Sequence, residues 1–356
     1  MKQLTFNMAI RLICLAGVTI LFFGCTDYFK NRKINEGFPP VSILKPEKIK
    51  INEVLKPGAI VLLEDFLIVQ NEYNPKEDCF FVYTRDKIKF CYSFGSLGQS
   101  GTDYEYIAPR VIQNNSGNIF TVFDQSTRSI YYYDMMPDRV VFKKKERIND
   151  KDETRFPLQE ISFVNDSILL FTTLFGDICS YNIAADSIID RKHFVTGLKE
   201  ELGANHPIDY EGFQFSNKGN RIVIGFMFIN KVITGELDHH YYMRFNQEKI
   251  TANVSDFDQD KYSNTVYYMF MLSSDKYIYA QYMGLPFKVF QPFPLNLDGR
   301  NFKTLMEVYD WEMNKKALID FNLDVLRFTM DEKNTCLYTW NPLEDFDYLY
   351  KYPLWE

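Results

Sequence analysis

The chain is written in short alternating runs of apolar and polar positions. Between Asn114 and Asp134, NNSGNIFTVFDQSTRSIYYYD, a Ser116-Gly117 turn is followed by Ile119, Thr121 and Phe123 alternating with Phe120, Val122 and Asp124. A Ser/Thr break comes next, then Tyr131, Tyr132 and Tyr133, aromatic bulk of the kind that fits a pleated, half-buried surface. This pattern predicts two short strands around the turn and a third after the break. The same signal recurs as LLEDFLIVQ around Asp65, FVNDSILLFTT around Asp166 and FSNKGNRIVIGF around Gly219. It returns as MLSSDKYIYAQY around Asp275 and TMDEKNTCLYTW around Asn334. A spacing of roughly fifty residues is that of a propeller blade and not of a helical solenoid.

Read in order, blade one runs from about Ala59 to Phe94 with a two-strand turn at Arg85-Asp86, and blade two from about Arg110 to Lys145. Blade three covers about Leu158 to Phe194, and blade four about Tyr210 to Val254, including RIVIGFMF, YYMRF and KITANV. Blade five covers about Thr265 to Phe321 and carries the Pro-rich insertion Pro286 to Arg300. The last blade, starting near Val325, offers LRFTM, CLYTW and DYLYKY, one strand fewer than the others, whereas Ile49 to Ile51 is an orphan strand at the start. Lys48 to Asn52 is therefore expected to add the missing strand, which closes the ring and leaves no long open sheet edge. The expected fold is all-β, a six-bladed β-propeller of four-stranded antiparallel blades closed by an N-terminal strand. Helical runs are scarce, with a short connecting helix expected only over Gly197 to Gly203.

Before the first strand the pattern changes. Lys2 and Arg11 flank a start without acidic residues, and Leu12 to Phe23 is an apolar run ending at Gly24-Cys25. A charged start, a short apolar core and a small residue before the cut make a signal peptide, and the run is short of the about 20 apolar residues of a membrane span. Phe22-Phe23-Gly24-Cys25 resembles a bacterial lipobox, which implies lipidation of Cys25. Residues 1–24 are thus expected as signal peptide, 25–46 as a tether interrupted by Pro39, Pro40 and Pro46, and 47–356 as the propeller.

Composition agrees. Hydrophobic residues make up 46% of 356 and charged residues 24%, enough for a real core. The 17% aromatic share favours strands. A net charge of −7 gives no electrostatic support to a nucleic-acid partner.

Phe94 to Pro109, FGSLGQSGTDYEYIAP, resembles the Gly-rich Glu-Phe/Tyr stretch of the TolB-like six-bladed β-propeller lipoproteins of Bacteroides-type bacteria, through Gly95, Gly98, Glu105, Tyr106 and Pro109. It departs from them where Gly101 to Tyr104 reads GTDY. The resemblance implies a propeller exported to a Gram-negative envelope, and it implies no catalytic residues or cofactor. Physically the stretch reads as an inter-blade loop whose glycines supply positive φ.

Chemistry is sparse. Asp238-His239-His240 reads as a turn, since adjacent imidazoles on a strand would face opposite ways. Asp256-Phe257-Asp258-Gln259-Asp260 copies the start of an EF-hand loop but has Lys261 where the turn glycine belongs and Tyr267 where the bidentate glutamate belongs. Cys79 and Cys91 flank the Arg85-Asp86 turn as near cross-strand neighbours, either as a disulfide or as two strand thiols. Lys143-Lys144-Lys145 reads as edge protection on an outer strand. No nucleophile elbow, P-loop or dinucleotide fingerprint is present. Asp209-Tyr210-Glu211 before blade four echoes Asp103-Tyr104-Glu105 before blade two, so Tyr104, Glu105, Tyr106, Asp209, Tyr210 and Glu211 are the candidate ligand-binding residues. The expected function is an envelope-anchored lipoprotein that binds or scaffolds a glycan, peptide or protein partner. The alternative is a propeller-type polysaccharide hydrolase or lyase, which would assemble its acids from separate blades with no linear motif.

Overall fold

The structure, a computed structural model, describes residues 32, 34–54, 56–71, 78–96, 110–112, 117–125, 127–148, 158–173, 176–196, 212–252, 254–258, 260–290, 304–323, 325–333, 335–341 and 347–354. The first strands are β1 (Ser42–Ile43) and β2 (Glu47–Lys50). Blade one is β3 (Pro57–Leu62), β4 (Phe66–Asn71), β5 (Phe80–Thr84) and β6 (Phe90–Phe94). Blade two is β7 (Arg110–Ile112), β8 (Ile119–Asp124), β9 (Ser129–Met135) and β10 (Val140–Arg147). Blade three is β11 (Leu158–Asn165), β12 (Ile168–Thr173), β13 (Asp177–Asn182) and β14 (Ser187–His193), followed by the short β15 (Val195–Thr196). Blade four is β16 (Phe213–Lys218), β17 (Arg221–Phe226), β18 (Val232–Leu237) and β19 (Met243–Phe245), followed by β20 (Ile250–Thr251). Blade five is β21 (Thr265–Ser273), β22 (Tyr277–Pro286), β23 (Leu305–Asp310) and β24 (Lys315–Asp320). The last blade holds β25 (Leu326–Asp331), β26 (Cys336–Trp340) and β27 (Tyr348–Pro353).

The expected six-bladed propeller is present. Closure follows the expected route, with β2 antiparallel to β27 and Ile49 opposite Leu349. The first strands are innermost, and β7, β11, β16, β21, β25 and β3 meet one another in that order. Burial follows position in the blade. The second strands β4 and β12 are buried at every residue because a neighbouring blade covers each face. The fourth strand β10 is mostly exposed. Its Lys144 and Lys145 lie over the rings of Tyr132 and Tyr131, so these lysines cap aromatics on the adjacent strand as well as guarding the edge.

Apolar clusters fill the wedges between blades and bury about 25 cal/mol of stabilisation per Å² of apolar surface removed from water. Between blades four and five the packing is close enough to require a glycine. A Cβ on Gly225 would lie 2.6 Å from Met271 Sδ and 3.0 Å from Tyr268 Cβ.

Two parts of the chain depart from the pattern-based reading. KITANV is not part of the blade-four sheet, whose outer strand is β19, paired with β18. Its Ile250–Thr251 instead pairs in parallel with β15. The cause is a buried aromatic cluster, Phe194, Phe213, Phe226 and Phe245, which draws Val195 and Ile250 into one core. The second departure is in the 25–46 segment. Its described residues are laid against blade five, where β1 runs parallel to β24 and makes that sheet five-stranded. Leu44 N continues the ladder to the Asp320 carbonyl. The helix expected over 197–203 falls outside the described residues, as does 291–300 of the blade-five insertion, whose start is a 3-10 turn at Phe287–Phe290.

Candidate functional site

Strand direction gives the ring two unlike rims. First-to-second and third-to-fourth strand connections are tight, such as Asp166-Ser167 and Gly219-Asn220. Gly219 holds φ at +56°, a value that suits its lack of a Cβ. The opposite rim carries the longer connections. The predicted residues Tyr104, Glu105 and Tyr106 fall between β6 and β7, and Asp209, Tyr210 and Glu211 between β15 and β16. Both connections leave from the long-loop rim, but all six residues, and Cys25, lie outside the described residues. Gly95, at the start of the Gly-rich stretch, has φ +84° and accepts a hydrogen bond from Cys79 N.

The described residues form a polar cavity elsewhere, at the tight-turn end of the central channel. It has a volume of about 50 Å³ and is built where the first strands of blades three to six end. Ser162, Ser216 and Ser273 bring hydroxyls, with Lys218 and Glu332 at the mouth and Leu272 among the apolar lining. Ser216 and Ser273 share a hydrogen bond of 2.8 Å across the blade boundary. Lys218 Nζ meets Glu332 Oε1 at 2.6 Å and Asp275 Oδ1 at 3.9 Å. Asn217 donates to the Phe163 carbonyl at 3.0 Å, while its buried Oδ1 has no partner among the described residues. This space holds a few waters or one small polar group and excludes a whole sugar chain. Sequence reasoning passed over it. The available signal was a serine near the end of the first strand in three successive repeats, with Ser162 and Ser216 on the face opposite the buried Ile161, Phe163, Phe213 and Phe215.

A second polar cluster lies in the wedge between blades four and five. Glu307 on β23 is fully buried. Its Oε2 accepts from Tyr268 OH at 3.0 Å and Tyr309 OH at 2.6 Å, and its buried Oε1 has no partner among the described residues. Burial pushes this carboxyl above the ordinary range, and hydrogen bonds from Tyr309 and Tyr268, with the nearby Asn35 amide and the charge of Lys315, pull it part of the way back. Burial likewise raises the phenols of Tyr268, Tyr309 and Tyr282. The cover of this cluster is the N-terminal segment. Arg32 donates to the Tyr282 carbonyl, and burial lowers its guanidinium to about 10.

The remaining sequence candidates resolve structurally. Asp238 Oδ1 accepts from the backbone N of His240 and Tyr242, which makes 238–242 a capped turn. Asp258 and Asp260 are spent on backbone N–H groups of their own loop, and no cluster of three metal-ligating side chains occurs among the described residues. Cys79 and Cys91 are free thiols. The register puts Cys79 beside Phe80, which pairs with Phe94, whereas Cys91 sits in the bulge opposite Val82 and Tyr83. That offset of three residues is about 10 Å of strand, beyond disulfide reach.

Comparison with known proteins bears on the fold. No protein-family model matches the chain, and no curated protein matches it. Among solved structures it is similar to a Bacteroides fragilis protein described as exported, with 12% identity and a TM-score of 0.56 over 91% of this chain and 98% of that one. It is also similar to the Cps50 (Swd1) β-propeller domain of Myceliophteria thermophila, at 7% identity and a TM-score of 0.50, over 87% and 100%. The shared property is the propeller.

Proposed function

We propose that this protein is an envelope-anchored lipoprotein whose propeller binds or scaffolds a glycan, peptide or protein partner. The observation that carries the reading is the polar cavity at the end of the central channel. Three hydroxyls, an amide oxygen and a Lys218–Glu332 pair converge there from four blades, and loops and strand ends held by a rigid scaffold are where ligand contacts concentrate. Its small volume suits the tip of a larger partner, such as a terminal sugar hydroxyl or a peptide side chain, with the rim turns supplying further contact. The lipobox-like Phe22 to Cys25 supports the anchor, in the outer membrane, and the likeness to a protein described as exported supports the compartment.

The test is a thermal-shift screen of the domain from Thr26 onward against glycans, cell-wall peptides and divalent cations. A ligand at a hundredfold its Kd adds about 2.7 kcal/mol, which moves the transition visibly. A shift lost in Ser216→Ala supports the cavity as the site. A shift untouched by that change places binding elsewhere, and cleavage of a bound glycan would replace this reading with the hydrolase or lyase alternative.

A further inference from the structure

The N-terminal segment is fastened to the propeller at one place and in one direction. Phe38 stacks edge-on against Tyr309 at 5.3 Å, and Lys315 Nζ lies 4.9 Å over the Phe38 ring. Lys315 also donates to the Glu36 carbonyl. Asn35 exchanges two hydrogen bonds with Asn230, at 3.1 and 2.7 Å, and donates to Tyr268 OH at 3.2 Å. Arg32 then reaches the Tyr282 carbonyl. Tyr309 and Lys315 flank the tight turn between β23 and β24, whereas Asn230 stands on the long-loop rim between β17 and β18. Followed backward from Phe38 to Arg32, the chain therefore climbs the blade four–five wedge and leaves at the long-loop rim.

From this path we infer that the long-loop rim of blades four and five is the surface that lies against the lipid bilayer, an inference that rests on the lipid anchor at Cys25 proposed above. A free tether from Cys25 to Glu47 could extend about 75 Å, but with Arg32 fastened only the steps from Cys25 to Arg32 remain, about 25 Å at full extension. The rim at the exit carries exposed Asn230 and Lys288, with Lys231 beside them and exposed Asp256, Asp258 and Asp260 on the adjoining β20–β21 connection, so the path of the chain and not net charge marks the contact surface. The central cavity lies at the other rim, so it faces away from the bilayer.

Energy transfer to a lipid-borne acceptor tests this in the full-length protein reconstituted in vesicles containing an anionic lipid. Donor dyes are placed at Lys288→Cys on the long-loop rim or Lys276→Cys on the tight-turn rim, in a Cys91→Ser background. Rims separated by strands of about 20 Å should give transfer several-fold stronger from position 288 than from 276. Equal transfer, or stronger transfer from 276, overturns the inference while the anchor stands. Asn35→Ala with Phe38→Ala should unfasten the segment and abolish the difference, with the circular-dichroism spectrum of the blades unchanged; a persistent difference also overturns the inference. Flotation with the vesicles is scored separately. Cys25→Ser should lose it, and a protein that never floats, or floats equally without Cys25, removes the anchor and the inference with it.

Discussion

Arg85 of blade one and Asp331 of the last blade form a two-pronged ion pair across the seam of the ring, Nε to Oδ2 at 3.1 Å and Nη2 to Oδ1 at 2.5 Å. Asp331 is fully buried, and Arg85 Nη1 also donates to the Leu63 carbonyl at 2.7 Å. Strand β2 joins the seam through its backbone, and this pair joins it through side chains. Removing Arg85 would strand a buried carboxylate, a change that typically costs about 3–5 kcal/mol. Arg85→Ala should lower the denaturation free energy by about 3 kcal/mol, given the partial exposure of the arginine side chain. Adding Asp331→Asn should restore part of the loss in a double-mutant cycle. An additive double mutant would refute the coupling.

Glu307 makes stability depend on pH in a definite direction. Its folded pKa lies above the unfolded value of about 4.5. The folded protein therefore keeps a proton that the unfolded chain has already released, and stability falls as pH rises between the two values. Glu307→Gln removes this contribution. The difference in denaturation midpoint, variant minus wild type, should shift in favour of the variant as pH is raised from about 4 to 8. Parallel profiles would show that this carboxylate does not titrate in the window.

Gly225 is a packing requirement and not a turn. Gly225→Ala sets a methyl against Met271 and Tyr268 and should destabilise by about 1–3 kcal/mol, as overpacking does. Met271→Ala in the same chain should relieve part of that strain, measured by the same denaturant titration.

Lys218 separates binding from stability. Its pair with Glu332 is partly exposed, 25% and 35%, and such pairs contribute about 0–1 kcal/mol. Lys218→Ala should leave the melting temperature within a few degrees of the parent and abolish the shift produced by whichever ligand emerges from the screen. Retained ligand stabilisation in a normally folded variant would clear Lys218 of a binding role.

The seam strand itself can be removed in steps. A chain starting at Glu47 keeps β2 and should stay soluble and folded, with a lowered melting temperature from loss of the Phe38 and β1 contacts. A chain starting at Ile51 leaves β27 as an open edge and should self-associate, as unprotected edges do. Size-exclusion chromatography distinguishes the two, and a monomeric Ile51 chain would contradict the closure argument.

The parts of this fold that were legible in the sequence are those set by local rules. Alternation in stretches such as Ile119 to Asp124, turns such as Asn217 to Asn220 and the unmatched strand near Ile49 each follow from two-residue periodicity or backbone preference. The pairing of Ile250–Thr251 with Val195–Thr196 was not legible, because it depends on four phenylalanines brought together only by blade packing. The fastening of Asn35 and Phe38 is of the same kind, since their partners Asn230 and Tyr309 lie far downstream in the chain. The cavity was illegible because Ser216 and Ser273 are unremarkable singly and acquire meaning only when adjacent inner strands end side by side.

Seam closure also fixes an order of events. Glu47 pairs with Lys351, so the last sheet cannot form until nearly the whole chain is available. A chain exported from its N-terminus, as proposed, would deliver β2 to the far side first and β27 last. The ring thus withholds its final contacts throughout translocation, and contacts of such long sequence separation form slowly. A propeller sealed this way closes its ring last of all, and under the proposed export that closure would wait until β27 had crossed.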